Sequence, residues 1–305
     1  MNLDNTKAGY VTILGKPNVG KSTLLNTLLG QKISITTNKP QTTRKRILGI
    51  LSEENYQIIF LDTPGILNPA YLLQRKMMEA VEVSVFDADI LIIILDVFAD
   101  PEGEATLKDD FIFNSVTNIN KPKLLVLNKV DLLTQEKVQS LVTKMEERGL
   151  FKKVIPVSAT LNFNVRTVLD SILELLPDNP KFYPDDIVAD ANDRFFVSEI
   201  VREKIFELFK EEIPYSCEVL IADFKEREDK KYFIQAEIIV EKESQKGIII
   251  GKQGAAIKKL GQLAREAVEE FLQHEVFLEL RVRVRNKWRS DEKILKSFGY
   301  SRDKE

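Results

Sequence analysis

Two glycines, a lysine and a serine lie at the spacing that binds phosphate. Residues 15–22 read Gly-Lys-Pro-Asn-Val-Gly-Lys-Ser, between the predicted strand Tyr10–Leu14 and the predicted helix Ser22–Leu29. Glycine lets backbone N–H groups turn towards phosphate oxygens, and the following helix points the positive end of its dipole at the same anion. In this pattern Lys21 reaches the β- and γ-phosphates and Ser22 ligates Mg²⁺. The sequence therefore predicts a nucleotide site formed by Gly15, Lys16, Pro17, Asn18, Val19, Gly20, Lys21, Ser22 and Thr23.

A second stretch, Asp62-Thr63-Pro64-Gly65, ends the apolar run Tyr56–Asp62. By itself the stretch is a turn signal. Beside a phosphate loop, a carboxylate at a strand end can hold Mg²⁺ through water, and a glycine N–H can contact the γ-phosphate. The polar segment 34–46 offers a further metal ligand, for which Thr43 is the first candidate and Thr42 the second; the alternative is an ordinary surface loop. Lys21, Thr43 and Gly65 are the residues expected to act on the γ-phosphate.

A third stretch, Asn128-Lys129-Val130-Asp131, follows the apolar run 124–127. Guanine presents N1–H and an amino group side by side, and a carboxylate accepts both hydrogen bonds, whereas adenine has a bare acceptor there. Asp131 is therefore predicted to select guanine, with Asn128 tying loops together and the Lys129 stem packing over the base. The triplet Ser158-Ala159-Thr160, after the predicted strand 153–156, is a weaker candidate for placing backbone N–H groups near guanine O6, with Ser158 and Ala159 as the preferred residues.

Short apolar strands alternate with helices from residue 10 to about residue 180, and this order predicts a doubly wound, mostly parallel α/β sheet. Residues 47–52 and 56–62 should form a hairpin that adds one antiparallel edge. One helix is expected over 106–116. In such sheets ligands bind beyond the carboxyl ends of the strands, which is where the three stretches lie.

Composition excludes several classes of protein. The chain has 305 residues, 44% of them hydrophobic and 30% charged, and a formal net charge of −3. A length of this size predicts two domains. The single cysteine, Cys217, excludes an internal disulfide and suits a reducing cytosol. No signal peptide is expected, and the most apolar run, residues 90–95, is too short to span a bilayer. Because the net charge is slightly negative, any argument for a nucleic-acid partner must rest on local positive charge.

Three prolines between residues 177 and 184 favour a linker. The predicted division is a GTP-binding domain over 1–177, a linker over 178–192, and a smaller α+β domain with a C-terminal tail over 193–305. In the latter, helix and strand patterns follow the order α-β-β-α-α-β. The turn Gly251-Lys252-Gln253-Gly254 lies between its paired helices, as in the KH module, which clamps about four nucleotides of RNA with a Gly-x-x-Gly loop.

A basic strand supports RNA binding by this second domain. Along residues 276–285 apolar residues alternate with Glu279, Arg281, Arg283 and Arg285, so one face should be apolar and the other mainly basic. A solvated charged face is the alternative. The residues predicted to bind RNA are Gly251, Lys252, Gln253, Gly254, Lys258, Arg281, Arg283 and Arg285. Trp288 is interpreted as a core residue rather than a base-stacking platform.

These motifs together resemble the Era family of translation-factor-related GTPases, which carry a C-terminal type II KH domain. The resemblance covers nearly the whole chain. It implies GTP and GDP as ligands, Mg²⁺ as cofactor and slow hydrolysis of GTP to GDP and phosphate. It also implies binding to the 3′ end of 16S rRNA during assembly of the small (30S) ribosomal subunit. A monomer in the cytoplasm is expected, with peripheral association at the cytoplasmic face of the inner membrane as a further implication.

Two positions bear on mechanism. Ile66 replaces the glutamine that orients water in Ras-like proteins, and isoleucine cannot hydrogen-bond water. Asn18 occupies the position at which related GTPases bind K⁺, so K⁺ is a candidate second cation, and a mere cap of the loop is the alternative. Two other functions compete: a GTPase of tRNA modification or of membrane and cell-cycle regulation, and an ATP-dependent kinase. The turn at 251–254 argues against the first, and Asp131 argues against the second.

Overall fold

A computed structural model describes residues 6–227 and 230–300 of the chain. The chain forms two compact units: the first comprises the residues up to Pro69 and Met77–Asp190, and the second comprises Ala70–Lys76 and the residues from Ala191 onward. The outermost ends of the two predicted domains lie outside the described residues. The predicted domain boundaries stay a prediction.

The first unit is built around a six-stranded sheet of order β2-β3-β1-β4-β5-β6. All neighbouring pairs are parallel except β2 and β3, which form the predicted antiparallel hairpin at the edge. This confirms the doubly wound α/β prediction. The strands are β1 (Lys7–Leu14), β2 (Ile47–Glu53), β3 (Tyr56–Asp62), β4 (Ile90–Asp96), β5 (Lys123–Asn128) and β6 (Lys153–Val157).

Helices connect these strands and bury the apolar sheet between them. The side chains of β4 are buried along its whole length, as expected for a central strand covered on both faces. The helices of this unit are α1 (Lys21–Leu29), α2 (Leu72–Asp87, whose first turn belongs to the second unit), α3 (Glu104–Leu107), α4 (Asp110–Thr117), α5 (Gln135–Glu146) and α6 (Val165–Leu175).

The single helix predicted over 106–116 is wrong, because the chain forms the two helices α3 and α4 there. Asp109 adopts an extended conformation between them, with φ −62° and ψ 126°. Its carboxylate accepts hydrogen bonds from the backbone N–H groups of Phe111 and Ile112. Aspartate at this position caps the N-terminus of a new helix and so ends the preceding one.

The proline-bearing segment after α6 lies along the edge of the first unit's sheet. The Ile50 N–H donates to the Val188 carbonyl at 2.8 Å, and the Gln57 side chain accepts from the Phe182 and Tyr183 N–H groups. These contacts satisfy backbone groups on an edge that would otherwise be open. Residues 182–188 are thus anchored to the first unit.

The second unit has a three-stranded sheet of order β7-β8-β9, in which β7 and β8 are antiparallel and β8 and β9 are parallel. Residues from α7, α9 and α10 pack against one face of it. The element order confirms the predicted α+β arrangement. The elements are α7 (Asp193–Leu208), α8 (Ile213–Ser216), β7 (Glu218–Lys225), β8 (Tyr232–Val240), α9 (Glu243–Ile250), α10 (Ala255–Leu272), β9 (Val276–Val284) and α11 (Glu292–Ser297).

The only tryptophan, Trp288, belongs to the core of the second unit. It is fully buried and its indole N–H donates to the Ser216 carbonyl at 3.0 Å. A buried indole needs such a partner. The interpretation of this residue as a core residue is confirmed. No helix among the described residues has both the length and the apolar character needed to cross a membrane.

Candidate nucleotide and RNA sites

The three predicted nucleotide stretches follow the carboxyl ends of β1, β3 and β5. Because these strands are parallel members of one sheet, the stretches meet at one edge of it. A cavity of about 360 Å³ opens there. Its wall includes ten of the predicted residues: Pro17, Asn18, Gly20, Lys21, Ser22, Thr23, Thr43, Gly65, Asn128 and Lys129.

The other predicted residues are not among those that line the cavity. Val19, Thr63 and Pro64 are buried, and the Lys16 ammonium donates to the Ala105 carbonyl at 2.5 Å. Asp131 is exposed in a short helical turn after β5. Of the predicted triplet Ser158-Ala159-Thr160, Thr160 lines the cavity. The triplet is a weak signal, which could not determine which of its members would line the cavity.

Lys21 begins α1 and is folded back onto the phosphate loop. Its ammonium donates to the carbonyls of Gly15 at 3.2 Å and Lys16 at 3.0 Å. Burial disfavours the charged form and lowers the pKa of Lys21 to about 8, although the nearby Asp62 carboxylate opposes this shift. A buried cation held by two carbonyl dipoles is well placed to receive a more strongly charged phosphate.

Three candidate metal ligands from three separate elements converge near the phosphate loop. The Ser22 hydroxyl donates to Asp62 Oδ2 at 2.8 Å and lies 3.0 Å from the Thr43 hydroxyl. The Thr43 hydroxyl is 3.5 Å from the same carboxylate oxygen. Burial raises the pKa of Asp62, and the Ser22 hydrogen bond and the Lys21 charge oppose that shift. The sequence placed these residues 40 positions apart, and the fold brings their oxygens together.

One oxygen of the Asp62 carboxylate can accept further hydrogen bonds or bind a cation. Its Oδ1 atom is buried, and no described residue donates a hydrogen bond of ordinary geometry to it. Leaving a buried carboxylate oxygen without a partner is costly. Hydroxyl and carboxylate oxygens are the ligands that Mg²⁺ prefers, so the donor set fits this cation.

Asn128 joins two loops of the site, as its position in the sequence predicted. Its side-chain Nδ2 donates to the Val19 carbonyl at 2.8 Å, and its Oδ1 accepts from the Ala159 N–H at 3.0 Å. The residue is 3% exposed. One buried amide therefore holds the phosphate loop and the loop after β6 in a fixed relation.

Sequence reasoning missed Asp96, at the carboxyl end of β4. The Lys129 ammonium lies 2.5 Å from the Asp96 carboxylate and 3.0 Å from the Asn18 carbonyl. This pairing positions the Lys129 stem at the cavity wall. Asp96 could have been predicted as a site residue, because it ends the strand next to β5 and pairs in register with Asn128.

Two glycines in the site are required by close approach. Gly20 has φ 99°, and a Cβ there would lie 2.3 Å from Asn128 Nδ2. A Cβ on Gly65 would lie 2.8 Å from the backbone nitrogen and Cα of Pro17. The Ile66 N–H also donates to the Gly15 carbonyl at 3.1 Å. The Asp62–Gly65 turn thus lies directly against the phosphate loop.

In the second unit, the Gly-x-x-Gly turn joins α9 to α10. Gly251, Gln253 and Gly254 all have positive φ, at 72°, 50° and 79°. Lys252, Gln253 and Lys258 are exposed, and a Cβ on Gly254 would meet no atom within 4 Å. The turn therefore offers an open, close approach to its backbone, next to two lysines.

The predicted arginines of β9 are not grouped with this turn. Alternate residues of β9, such as Leu278 and Val282, pack against the core formed with α9 and α10, so Arg281 and Arg283 lie on the opposite face of the sheet. Each pairs with a glutamate: Arg281 with Glu279 at 2.7 Å, and Arg283 with Glu237 at 2.6 Å. The face of β9 opposite the core is mainly basic, as predicted, and β8 adds Glu237 to the same face of the sheet. Arg285 is stacked 5.7 Å from the centroid of the Phe298 ring.

Two family models match the chain: a 50S ribosome-binding GTPase model over residues 10–129 and a KH domain model over residues 212–289. GTPase Era of Clostridium kluyveri is 42% identical over 294 residues, which cover 96% of this chain and 99% of that protein. The chain belongs to the Era GTPase family. It is accordingly a GTP-binding enzyme that hydrolyses GTP.

Solved structures of Era match this chain along nearly its whole length. A crystal structure of Era in complex with MgGDPNP and nucleotides 1506–1542 of 16S rRNA is 39% identical, with a TM-score of 0.90, and the match covers 97% of this chain and 99% of that one. A variant of Aquifex aeolicus Era bound to GDP·AlF₄⁻ is 38% identical, with a TM-score of 0.90 and coverage of 97% and 100%.

Proposed function

We propose that this Era-family GTPase binds the 3′ end of 16S rRNA through its KH module and acts in assembly of the small ribosomal subunit. The observation that carries the proposal is the match to an Era structure that holds such an RNA. The exposed turn at 251–254, with its open Gly254, supports the same reading in this chain. Lys252 and Lys258 would contact phosphates beside the turn, and Gln253 is exposed between them.

The nucleotide site has the following proposed roles. Backbone N–H groups of the loop 15–20, all except that of Pro17, which has none, surround the phosphates. The Lys21 ammonium moves from the Gly15 and Lys16 carbonyls to the β- and γ-phosphate oxygens. The exchange is favourable because a phosphate carries full negative charge where a carbonyl carries only a partial one. The Gly65 N–H contacts the γ-phosphate, and Asp131 accepts hydrogen bonds from guanine.

Ser22 and Thr43 are proposed to ligate Mg²⁺ directly, and Asp62 to hold it through water. The unpaired Asp62 Oδ1 supports this assignment. Mg²⁺ supplies neutralisation of the charge that develops on the phosphate oxygens during hydrolysis. In exchange for that ion the Ser22 and Thr43 hydroxyls give up their present hydrogen bonds to Asp62. The Asn18 side chain is proposed as a K⁺ ligand through its amide oxygen, its amide nitrogen being held 3.1 Å from the Asn38 carbonyl.

The proposed division of labour follows the sequence. Residues 1–177 bind and hydrolyse GTP, residues 178–192 connect, and residues 193–305 bind RNA. The protein acts as a monomer in the cytoplasm, with peripheral contact at the inner membrane. The competing functions, in tRNA modification or in membrane and cell-cycle regulation, predict no preference for the 16S 3′ end.

Substitution of Gly254 by aspartate tests the proposal. The added carboxylate would project into open space at the turn and repel a phosphodiester, and the backbone strain of a side chain at positive φ is the cost to folding. Gly149→Asp is a matched control, because Gly149 also has positive φ, 64°, and nothing within 4 Å of its Cβ, but lies in the first unit. Affinity is measured by fluorescence anisotropy for a 16S 3′-end RNA, a scrambled RNA and a tRNA at one salt concentration.

The wild type and Gly149→Asp should prefer the 16S 3′-end RNA, and Gly254→Asp should lose that binding while retaining its GDP affinity. Equal affinity of the wild type for all three RNAs would contradict the assignment to 16S rRNA. Unchanged RNA affinity in a folded Gly254→Asp protein would contradict the role of the turn.

A further inference from the structure

The face of the second unit's sheet that α7, α9 and α10 do not cover carries a stacked pair of aromatic rings. Phe233 of β8 and Phe277 of β9 are paired in register. Their ring centroids are 5.9 Å apart and the rings are inclined by only 13°. Phe277 is 58% exposed and is absent from the described core clusters of the unit. A phenylalanine exposed to this extent does not stabilise the core.

Two cations flank this pair. The Lys225 ammonium lies 5.6 Å from the Phe233 ring centroid, and the Arg227 guanidinium lies 5.9 Å from it. Lys225 is also the register partner of Phe233 on β7, so one row across the sheet reads Lys225, Phe233, Phe277. Cations held above and beside aromatic rings are found where proteins stack nucleobases and bind the adjoining phosphates.

The ion pairs on this face expose their cations more than their carboxylates. Within the described strands, three ion pairs on this face each have the cation as the more exposed member. Side-chain exposure is 59% for Lys225 against 34% for Asp223, 50% for Arg281 against 32% for Glu279, and 55% for Arg283 against 13% for Glu237. The carboxylates are thus neutralised beneath a cationic outer layer. A polyanion approaching this face meets lysine and arginine first.

We propose that this face is a second RNA-binding surface, on which one or two unpaired bases stack against Phe277 and the flanking phosphates contact Lys225, Arg227 and Arg281. The inference rests on the proposed function, in which the second unit binds RNA. It deepens that function because the turn at 251–254 belongs to the helical layer on the other side of the sheet. A clamp of about four nucleotides together with this surface requires a longer single strand than the clamp alone.

The test compares two RNA lengths and two kinds of variant. Single-stranded RNAs of about 4 and about 12 nucleotides, sharing one clamp sequence, are titrated by fluorescence anisotropy at one salt concentration. The variants are Phe277→Ala, Phe277→Trp and Gly254→Asp. Phe113→Ala is the matched control, because Phe113 is 54% exposed but lies in the first unit. Circular dichroism and thermal unfolding check that each variant is folded.

Phe277→Ala should weaken binding of the longer RNA by about 5- to 150-fold, the range expected from losing one stacked base, and leave the short RNA unaffected. Phe277→Trp should retain the longer-RNA affinity, since tryptophan also stacks. Placing 2-aminopurine along the longer strand should give one position whose fluorescence is quenched by the wild type and not by Phe277→Ala. Gly254→Asp should weaken binding of both RNAs.

The outcomes separate the two proposals. Equal longer-RNA affinity in Phe277→Ala, Phe113→Ala and the wild type would overturn the second surface while leaving the clamp intact. Normal short-RNA binding by folded Gly254→Asp would overturn the clamp and not the surface. A quenched 2-aminopurine that persists in Phe277→Ala would also overturn the surface.

Discussion

Replacing Asn128 with alanine should both destabilise the protein and weaken nucleotide binding. The Asn128 amide links the Val19 carbonyl of the phosphate loop to the Ala159 N–H of the loop after β6. Alanine can make neither hydrogen bond. Because the side chain is 3% exposed, water has poor access to the groups left behind.

The expected magnitude follows from those two groups. A buried backbone donor or acceptor left without a partner costs about 1–3 kcal/mol. Two such groups, with partial relaxation of the loops, should lower the free energy of unfolding by about 2–5 kcal/mol. Without the Asn128 link, GDP would have to order the phosphate loop and the loop after β6 separately. GDP affinity should therefore fall roughly tenfold or more, equivalent to about 1.4 kcal/mol.

Urea denaturation of the nucleotide-free protein and titration with GDP measure the two effects. Asn114→Ala is the control, since Asn114 is exposed on α4 and its substitution should change stability by less than about 0.5 kcal/mol. Asn128→Asp separates the two bonds: it keeps an acceptor for Ala159 and places an oxygen against the Val19 carbonyl. An Asn128→Ala protein as stable as Asn114→Ala, with unchanged GDP affinity, would refute the link.

Four further outcomes are expected. Asp131→Asn should shift preference from GTP to XTP, because an amide N–H can meet the carbonyl that xanthine carries at C2; a competition assay that still favours GTP would remove Asp131 from the base site. Gly20→Ala should abolish GDP binding, since its Cβ would displace the Asn128 amide, as checked by calorimetry. The pKa of Lys21 is about 8 in the folded protein against 10.5 in the unfolded chain, so between these pH values only the unfolded state holds the proton. The free energy of unfolding, relative to that of Lys21→Met, should therefore rise by about 3 kcal/mol from pH 8 to pH 10.5. Parallel pH profiles of urea denaturation for the two proteins would contradict this prediction. RNA should bind more tightly with a non-hydrolysable GTP analogue than with GDP, by about 1–3 kcal/mol, and equal affinities at one salt concentration would disprove that coupling.

The sequence predicted best where one local pattern determines the structure. The phosphate loop, the strands that precede each motif and the Gly-x-x-Gly turn all depend on neighbouring residues, and all appear where expected. Pairings between strands distant in sequence were harder to foresee. Asp96 was missed, and Glu237 neutralises Arg283 only because β8 and β9 are neighbours in the sheet.

Local capping also decided details that periodicity does not show. The apolar positions between 106 and 116 fit one helix, yet the Asp109 carboxylate caps a new one. Similarly, which residue of 158–160 faces the cavity depends on the exact turn after β6. The loops that form the candidate site could therefore be predicted from the sequence, whereas the atoms that line it could be identified only from the fold.

Ile66 shows how the catalytic problem differs from that of Ras-like enzymes. Its side chain is 3% exposed and packs in a core cluster with Leu14 and Met78, and its N–H is bonded to the Gly15 carbonyl. An apolar side chain anchored in the core neither accepts nor donates a hydrogen bond to water, so rotation of this residue alone would expose apolar surface without supplying a catalytic group. We therefore expect the attacking water to be oriented by polar groups that approach the γ-phosphate, namely those of the Thr43 segment and the Gly65 backbone. If so, a partner that holds these loops in place would accelerate hydrolysis without contributing a side chain of its own.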